Sequence, residues 1–425
     1  MSRRRRLAAN YSLRTSEIQG VRIVILTNYF CPETVGAGIW VTQLARDLQE
    51  RGHQVRVVTS FPSYPEGRIF PGYRNCWSRC ERIGEIEVIR TYTYATPSKS
   101  FWPRLLSFAT FCLSSLGGYL RHCRRADVVY AVLPPLPLGV SGWLIAKASR
   151  ARLVVNIQDI YPDIAVALGY LRNAYAVAFA RWMEGWIYRH SHRVCLISES
   201  FRENLLAKGV SPDKLRLTPN WADMRSIRPR PRSDELRRSL AAEGDFLVLY
   251  SGGLTENASL DVLIEAASML RHEPIRFAFI GDGVQRLRLA EHAANLGLTN
   301  VTFLPFQPLQ RYPEVLAAAD LTVVSLKSAA ALASVPSKIY KQMAAGRPIL
   351  AIAEPGTELT RLLAHSQCGV AVRPDDVERL AAVIRSLSRQ PRQLEEMGRN
   401  GRAYVEKHHS REICVPIIEQ VLSEC

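Results

Sequence analysis

"FLVLYSGGLTENASLDVLIEAA", residues 246–267, holds the pattern that recurs along the chain. A short apolar run leads into Gly252 and Gly253, and "LDVLIEAASML" (260–270) follows at helical spacing. This is strand, glycine turn and helix in one unit. Glycines let backbone N–H groups approach a phosphate, and the following helix start adds its dipole. Glycine needed only for turn geometry gives the same pattern.

The unit repeats in both directions. "IRFAFIGDG" (275–283), "VTFLP" (301–305), "DLTVVSL" (320–326), "RPILAIA" (347–353) and "GVAV" (369–372) read as further strands. Upstream lie "VRIVILT" (21–27), a helix over "IWVTQLARDLQERG", and strands "QVRVVTS" (54–60), "DVVYAV" (127–132), "ARLVVNI" (151–157) and "RVCLIS" (193–198). Mostly apolar strands alternating with helices predict α/β architecture with parallel sheets covered on both faces. "TPNWADMRSIRPRPRSDEL" (218–236) has three prolines, several charges and no apolar period, and reads as a linker. The expected organisation is a basic arm (1–20), a first domain (21–217), the linker (218–236) and a second domain (237–425), with the last helix free to pack back on the first domain. Two doubly wound, Rossmann-like domains then face each other across a cleft. Ligands in such sheets bind outside the carboxyl ends of the strands. That rule singles out loops 28–38, 133–140, 158–163, 251–259, 281–286 and 326–338.

Composition narrows the partners. Among 425 residues, Lys and Arg outnumber Asp and Glu by 55 to 39, a formal charge of +16. That favours anionic partners such as nucleotides, nucleic acid or acidic lipid. No nucleic-acid module is visible, and the arginines are scattered. Nine cysteines with irregular spacing fit reduced thiols in a cytosolic protein, and Cys76 and Cys80 lack the second pair that a zinc site needs. "MSRRRRLAANYSLRTSEIQG" (1–20) has no apolar run after its arginines, so it reads as a solvated arm rather than a secretory signal.

"FWPRLLSFATFCLSSLGGYL" (101–120) breaks the strand–helix alternation. Trp102, Leu105, Leu106, Ala109, Leu113, Leu116 and Leu120 form one stripe at helical spacing, with Phe108, Phe111, Cys112 and Tyr119 largely off it. A helix apolar on two sides needs two apolar neighbours. One is the domain core. Whether the other is more core or a membrane interface, as the flanking Arg104, Arg121, Arg124 and Arg125 suit, stays open. Ser114, Ser115, Gly117 and Gly118 weaken a bilayer span.

Three loops of the second domain carry the candidate chemistry. Gly252 and Gly253 are the first. Gly281, Asp282 and Gly283 repeat the turn, with Asp282 either a ligand acceptor or, preferred, a helix cap. "SVPSKIYKQMAAGRPIL" (334–350) offers the Ser334 and Ser337 hydroxyls, and Lys338 at a helix start can reach toward a diphosphate. Lys341, one turn further on, is expected to face solvent.

With these stretches the chain resembles glycosyltransferase family 4, of the two-domain GT-B fold, and within it bacterial polysaccharide enzymes of the fucosaminyltransferase and colanic-acid type. The resemblance is carried by "YFCPETVGAG" (29–38), "RGHQVRVVTS" (51–60), "LPPLPLG" (133–139), "IQDIYPDIAVALG" (157–169), "TPNWAD" (218–223), "YSGGL" (250–254), "FIGDGVQR" (279–286) and "VPSKIYKQMAAGRP" (335–348), in family order. It implies a retaining transferase that needs no metal or other cofactor, with a nucleoside-diphosphate sugar in the second domain and the acceptor in the first. It also places Gly36, Ala37 and Gly38 near the donor diphosphate, and Glu33 and Asp159 on the acceptor side as candidate catalytic groups. Two family glutamates correspond here to Ala333 and Lys341, and a family histidine to Gln158. A lysine cannot accept a hydrogen bond, and a neutral amide cannot act as a base.

The expected protein is therefore a cytoplasmic, inner-membrane-associated glycosyltransferase that moves a sugar from a UDP-sugar to a polyprenyl-diphosphate-linked acceptor. A nucleotide-sugar 2-epimerase of similar fold and a non-catalytic nucleotide-sugar-binding assembly protein remain as alternatives.

Overall fold

A computed structural model describes residues 20–34, 36–98, 101–123, 125–231, 234–331 and 333–425. Apart from Gly20, the basic arm lies outside the described residues, as do Val35, Lys99 and Arg124.

The first sheet is built from β1 (Arg22–Leu26), β2 (Gln54–Ser60), β3 (Ser78–Ile83), β4 (Ile86–Thr91), β5 (Val128–Leu133), β6 (Arg152–Ile157), β7 (Arg193–Leu196) and β8 (Leu215–Leu217). Its order is β3-β4-β2-β1-β5-β6-β7-β8, and only the β3–β4 pair is antiparallel. Alternate residues of each strand face opposite layers, as the two-residue period requires. Ile23 and Ile25 pack with Val41, Leu44 and Leu48 of helix Ala37–Glu50 and with Val415 and Ile418 of helix Arg411–Ser423. Val24 and Leu26 pack with Phe111, Leu138 and Ile187 on the other face. Burial on both faces explains why these strands read as continuous apolar runs.

The second sheet contains β9 (Phe246–Ser251), β10 (Ile275–Ile280), β11 (Val301–Leu304), β12 (Leu321–Ser325), β13 (Ile349–Ile352) and β14 (Gly369–Val372). All its pairs are parallel, in the order β11-β10-β9-β12-β13-β14. Strand order reverses between β1 and β5 in the first sheet and between β9 and β12 in the second. Each reversal is a topological switch point, where a crevice opens at the carboxyl ends.

The chain crosses between domains at two adjacent places. Ala222 bridges Ser410, and the Ala222 N–H donates to the His409 carbonyl at 2.9 Å. Trp221 packs in a tilted arrangement against Trp40 with ring centroids 5.0 Å apart, and its indole N–H donates to Gln43. After its second crossing the chain ends on the first domain. There Arg411 pairs with Asp47, and Glu419 takes Arg51 and His53. The linker is shorter than its charge and proline content suggest. Helix Asp234–Leu240 begins inside the expected range and buries Leu236 and Leu240 against Leu247 and Leu249 of β9.

Two elements show what the sequence leaves open or does not indicate. The β3–β4 hairpin was not anticipated from the sequence, because its edge strand carries alternating charges. Helix Phe101–His122 is not enclosed by core. Phe111, Cys112, Ser114, Ser115 and Tyr119 face inward, whereas Trp102 is 74% and Leu113 73% exposed, with Leu105, Leu106 and Leu120 also exposed. Most of the stripe read from helical spacing faces outward, while Leu116 packs on the core.

Candidate functional site

The carboxyl ends of the two sheets meet. Asp159, after β6, forms an antiparallel bridge with Ser334, after β12, and the Ile160 N–H donates to the Ala333 carbonyl at 2.9 Å. Ile160 and Ile164 share a buried cluster with Ala331, Ala333 and Val335. Further out, Arg361 holds Glu203 through two bonds of 2.9 and 3.1 Å, the Ser200 N–H donates to Glu358, and the Tyr170 hydroxyl donates to Glu256.

On the second-domain side the glycine turns fit into each other. Gly252, Gly281 and Gly283 have φ of 135°, 155° and 156°. A Cβ on Gly281 would lie 1.9 Å from the Gly252 carbonyl oxygen, and one on Gly283 2.2 Å from that of Leu254. Gly281 and Gly283 are therefore fixed by the packing of one turn on the other, whatever binds above them. The expected capping role of Asp282 is not observed. Its Oδ1 accepts from the Gly283 N–H at 2.8 Å, and helix Arg286–Asn295 has no side-chain cap. The side chain is exposed and satisfies its own turn.

Lys338 opens helix Lys338–Ala344, and its Nζ sits 3.9 Å from the centre of the Tyr250 ring. A Cβ on Gly252 would meet that ammonium at 2.7 Å, so the side chain crosses the Gly252 backbone at the carboxyl end of β9. Gly253 follows, its carbonyl fixed by the Tyr250 hydroxyl at 2.9 Å. Ser337 is exposed and makes no capping bond.

Lys341 does not face open solvent. Residues three apart share a helix face, and here that face turns toward the end of β9. Lys341 is partly buried with its Nζ 5.6 Å from the Tyr312 ring, and burial pulls its pKa down. The Tyr312 hydroxyl in turn bonds to Ser251 Oγ at 3.2 Å.

Across the cleft, burial pushes the Asp159 carboxyl up to about 6, against a smaller opposing effect of its hydrogen bond with Ser334. Ser334 is thus held against the facing domain by its backbone bridge to Asp159. Gln158, in the position of the family histidine, bonds Asn156 at 2.6 Å and exchanges two bonds with Asn220 beside the domain crossing. Glu33 lies elsewhere. Its carboxylate accepts the N–H groups of Phe30, Ser63 and Tyr64 at 3.2, 3.0 and 2.9 Å, bracing the loop after β1 against the loop after β2. Burial raises its pKa and the amides partly offset this. Gly36, with φ 55° and ψ −134°, turns the chain into helix Ala37–Glu50, and Gly38 packs so tightly that a Cβ would lie 2.8 Å from the Glu33 carbonyl oxygen.

The structure therefore brings Lys338 onto Gly252 and Asp159 onto Ser334. Among the described residues, no hydrogen bond or ion pair joins Glu33 or the 36–38 turn to either group. Sequence reasoning missed Tyr250 and Tyr312, the aromatic platforms beneath the two lysines. Neither carries a local signal, because Tyr250 lies in β9 and Tyr312 opens helix Tyr312–Ala318, both distant in sequence from the lysines they meet.

Comparison with known proteins bears on the whole chain. Residues 35–221 match the family "Glycosyl transferase 4-like domain" and residues 232–404 match "Glycosyl transferases group 1". An Escherichia coli (strain K12) protein named as a colanic acid biosynthesis glycosyl transferase is 31% identical over 373 residues, covering 86% of this chain and 91% of that protein. Among solved structures, sucrose-phosphate synthase from Thermosynechococcus elongatus superposes with a TM-score of 0.74 at 18% identity, over 95% of this chain and 98% of that one. The Anabaena protein HepE in complex with UDP-glucose gives 0.71 at 18% identity, over 95% and 100%. The two largely parallel sheets, their facing carboxyl ends and these matches to both halves in order place the chain in the glycosyltransferase family of GT-B fold, as a glycosyltransferase.

Proposed function

We propose that the protein transfers a sugar from a nucleoside-diphosphate sugar, UDP-linked, to a polyprenyl-diphosphate-linked acceptor in bacterial polysaccharide synthesis, with retention at the anomeric carbon. The observation that carries this reading is the Lys338 ammonium laid across the Gly252 turn at a switch point, with Asp159 in the facing domain. The name of the Escherichia coli relative supports the pathway, and the UDP-glucose bound by HepE supports the donor class.

In this scheme the bond from the sugar's anomeric carbon to the donor diphosphate breaks, and one to the acceptor oxygen forms. The acceptor hydroxyl proton passes to Asp159, whose raised pKa suits a base working near neutrality. Lys338 and the Gly252–Gly253 amides stabilise the charge gathering on the departing diphosphate. The ammonium supplies what a metal ion would supply elsewhere, so a chelator should leave transfer unchanged. The decisive assay offers labelled nucleotide sugars with and without a lipid-linked acceptor. Label moving to the lipid supports the reading. Conversion of the free nucleotide sugar without acceptor contradicts it.

The acceptor's lipid suits the outer face of the first domain. Helix Pro137–Ser149 packs between helices Phe101–His122 and Ala174–His190. The latter exposes Tyr175 (87%), Phe179 and Trp182, with Arg181 and Arg189 beside them. Together with Trp102, Leu106 and Leu113 this makes an apolar face edged by arginines, as contact with an anionic membrane interface requires. Among the described residues, no helix is long and apolar enough to cross a membrane, so contact is peripheral in this reading, at the cytoplasmic face of the inner membrane. Replacing Trp102, Leu106 and Leu113 together by serine should cut binding to anionic vesicles about tenfold or more. The fold should be unaffected, since these side chains are exposed, whereas Phe111 is buried and unsuitable for the test. A variant that floats with vesicles as well as the parent protein would remove this face from the account.

A further inference from the structure

Two ammonium groups, not one, cover the end of β9. Lys338 lies over Tyr250 and against Gly252, while Lys341 lies over Tyr312, whose hydroxyl holds Ser251. Three consecutive residues at the switch point, 250 to 252, thus sit beneath two cations from one helix face. Among the described residues neither Lys338 nor Lys341 has a carboxylate partner, and Glu314, beside Tyr312 in sequence, is already paired with Arg311. A partly buried ammonium without an anion is costly, and an aromatic contact near 5.6 Å offsets only part of that cost.

We propose that Lys341 is a second phosphate-binding cation, which with Lys338 grips the diphosphate of the nucleotide from the Tyr312 side. The inference rests on the donor diphosphate lying at the carboxyl end of β9, as proposed above. It replaces the expectation that Lys341 is a solvent-facing residue with no ligand.

The test compares the parent protein with Lys341→Met and Lys338→Ala by calorimetric titration with UDP and with uridine, and by thermal melting without ligand. Lys341→Met should weaken UDP by about 10- to 100-fold and leave uridine unchanged. It should also raise the melting temperature of the free protein, because a desolvated charge is removed; a merely structural lysine would lower it. A Lys341→Met variant that melts below the parent protein counts against this role, and Lys341→Gln, with a neutral polar end, then decides it by the same titrations. Unchanged UDP affinity with Lys341→Met, or equal loss for UDP and uridine, overturns the role of Lys341. If only Lys338→Ala weakens UDP, the diphosphate placement stands and this inference falls. If neither variant weakens UDP, both fall.

Discussion

Asp159→Asn is expected to lower turnover by about 100- to 10,000-fold, the range for loss of a positioned base, with UDP affinity nearly unchanged. The substitution keeps size and shape, and the backbone bridge to Ser334 in the facing domain does not depend on the side chain. A role limited to holding the domains together would therefore leave turnover largely intact. The pH dependence separates the two roles further. Burial pushes the Asp159 carboxyl up to about 6 from its ordinary value of 3.8. Transfer should fall as pH drops below about 6, because the base becomes protonated. Stability should run the other way. A folded pKa above the unfolded one means the folded state binds the proton more tightly. The stabilisation is complete below the ordinary carboxylate pKa and is lost as pH rises through about 6. Asp159→Asn should remove the group's contribution to both trends. A pH–rate profile that keeps its acid limb in the variant would assign that limb to another group.

Lys338→Ala is expected to weaken UDP binding by about 1.5–3 kcal/mol, the usual value of a hydrogen bond to a charged group, and to leave uridine alone. The geometry supplies a second route to the same result. Gly252→Ala would set a methyl 2.7 Å from the ammonium, at a φ of 135° that side chains rarely adopt. It should displace the Lys338 side chain and reproduce the phosphate-specific loss, with some cost in stability from the strained backbone. Calorimetry with UDP and uridine on both variants checks this. Equal losses for both ligands would mean that Lys338 supports the site's shape rather than the phosphate.

How much of this was legible in the sequence depends on what each residue touches. The parallel strands were legible because both faces of each sheet are covered, so Ile23 to Leu26 and Leu247 to Tyr250 read as unbroken apolar runs. The β3–β4 hairpin was not. "SRCERIGEIEVIRT" (78–91) is rich in charge, and Arg90 is fully buried only because Glu81 and the carbonyls of Ser60 and Cys31 receive its guanidinium. Such compensation is tertiary and leaves no local trace. The glycine turns were visible as turns, but the reason for Gly281 and Gly283 is the neighbouring turn at 252–254. Lys338 could be placed by its position at a helix start. Lys341 could not, because Ile339, Tyr340, Gln342 and Met343 are all buried around it, and no apolar period marks a solvent face. The meeting of Asp159 with Ser334 joins two domains through residues far apart in sequence, which no spacing argument reaches.

In the proposed mechanism the donor diphosphate lies at the carboxyl end of β9, under Lys338 and facing Asp159. A crystal structure of the protein with UDP tests it most directly. The diphosphate is expected within hydrogen-bonding distance of Lys338 Nζ and of a backbone N–H at Gly252 or Gly253. A diphosphate bound away from that turn, with Lys338 still resting on Tyr250, would contradict it.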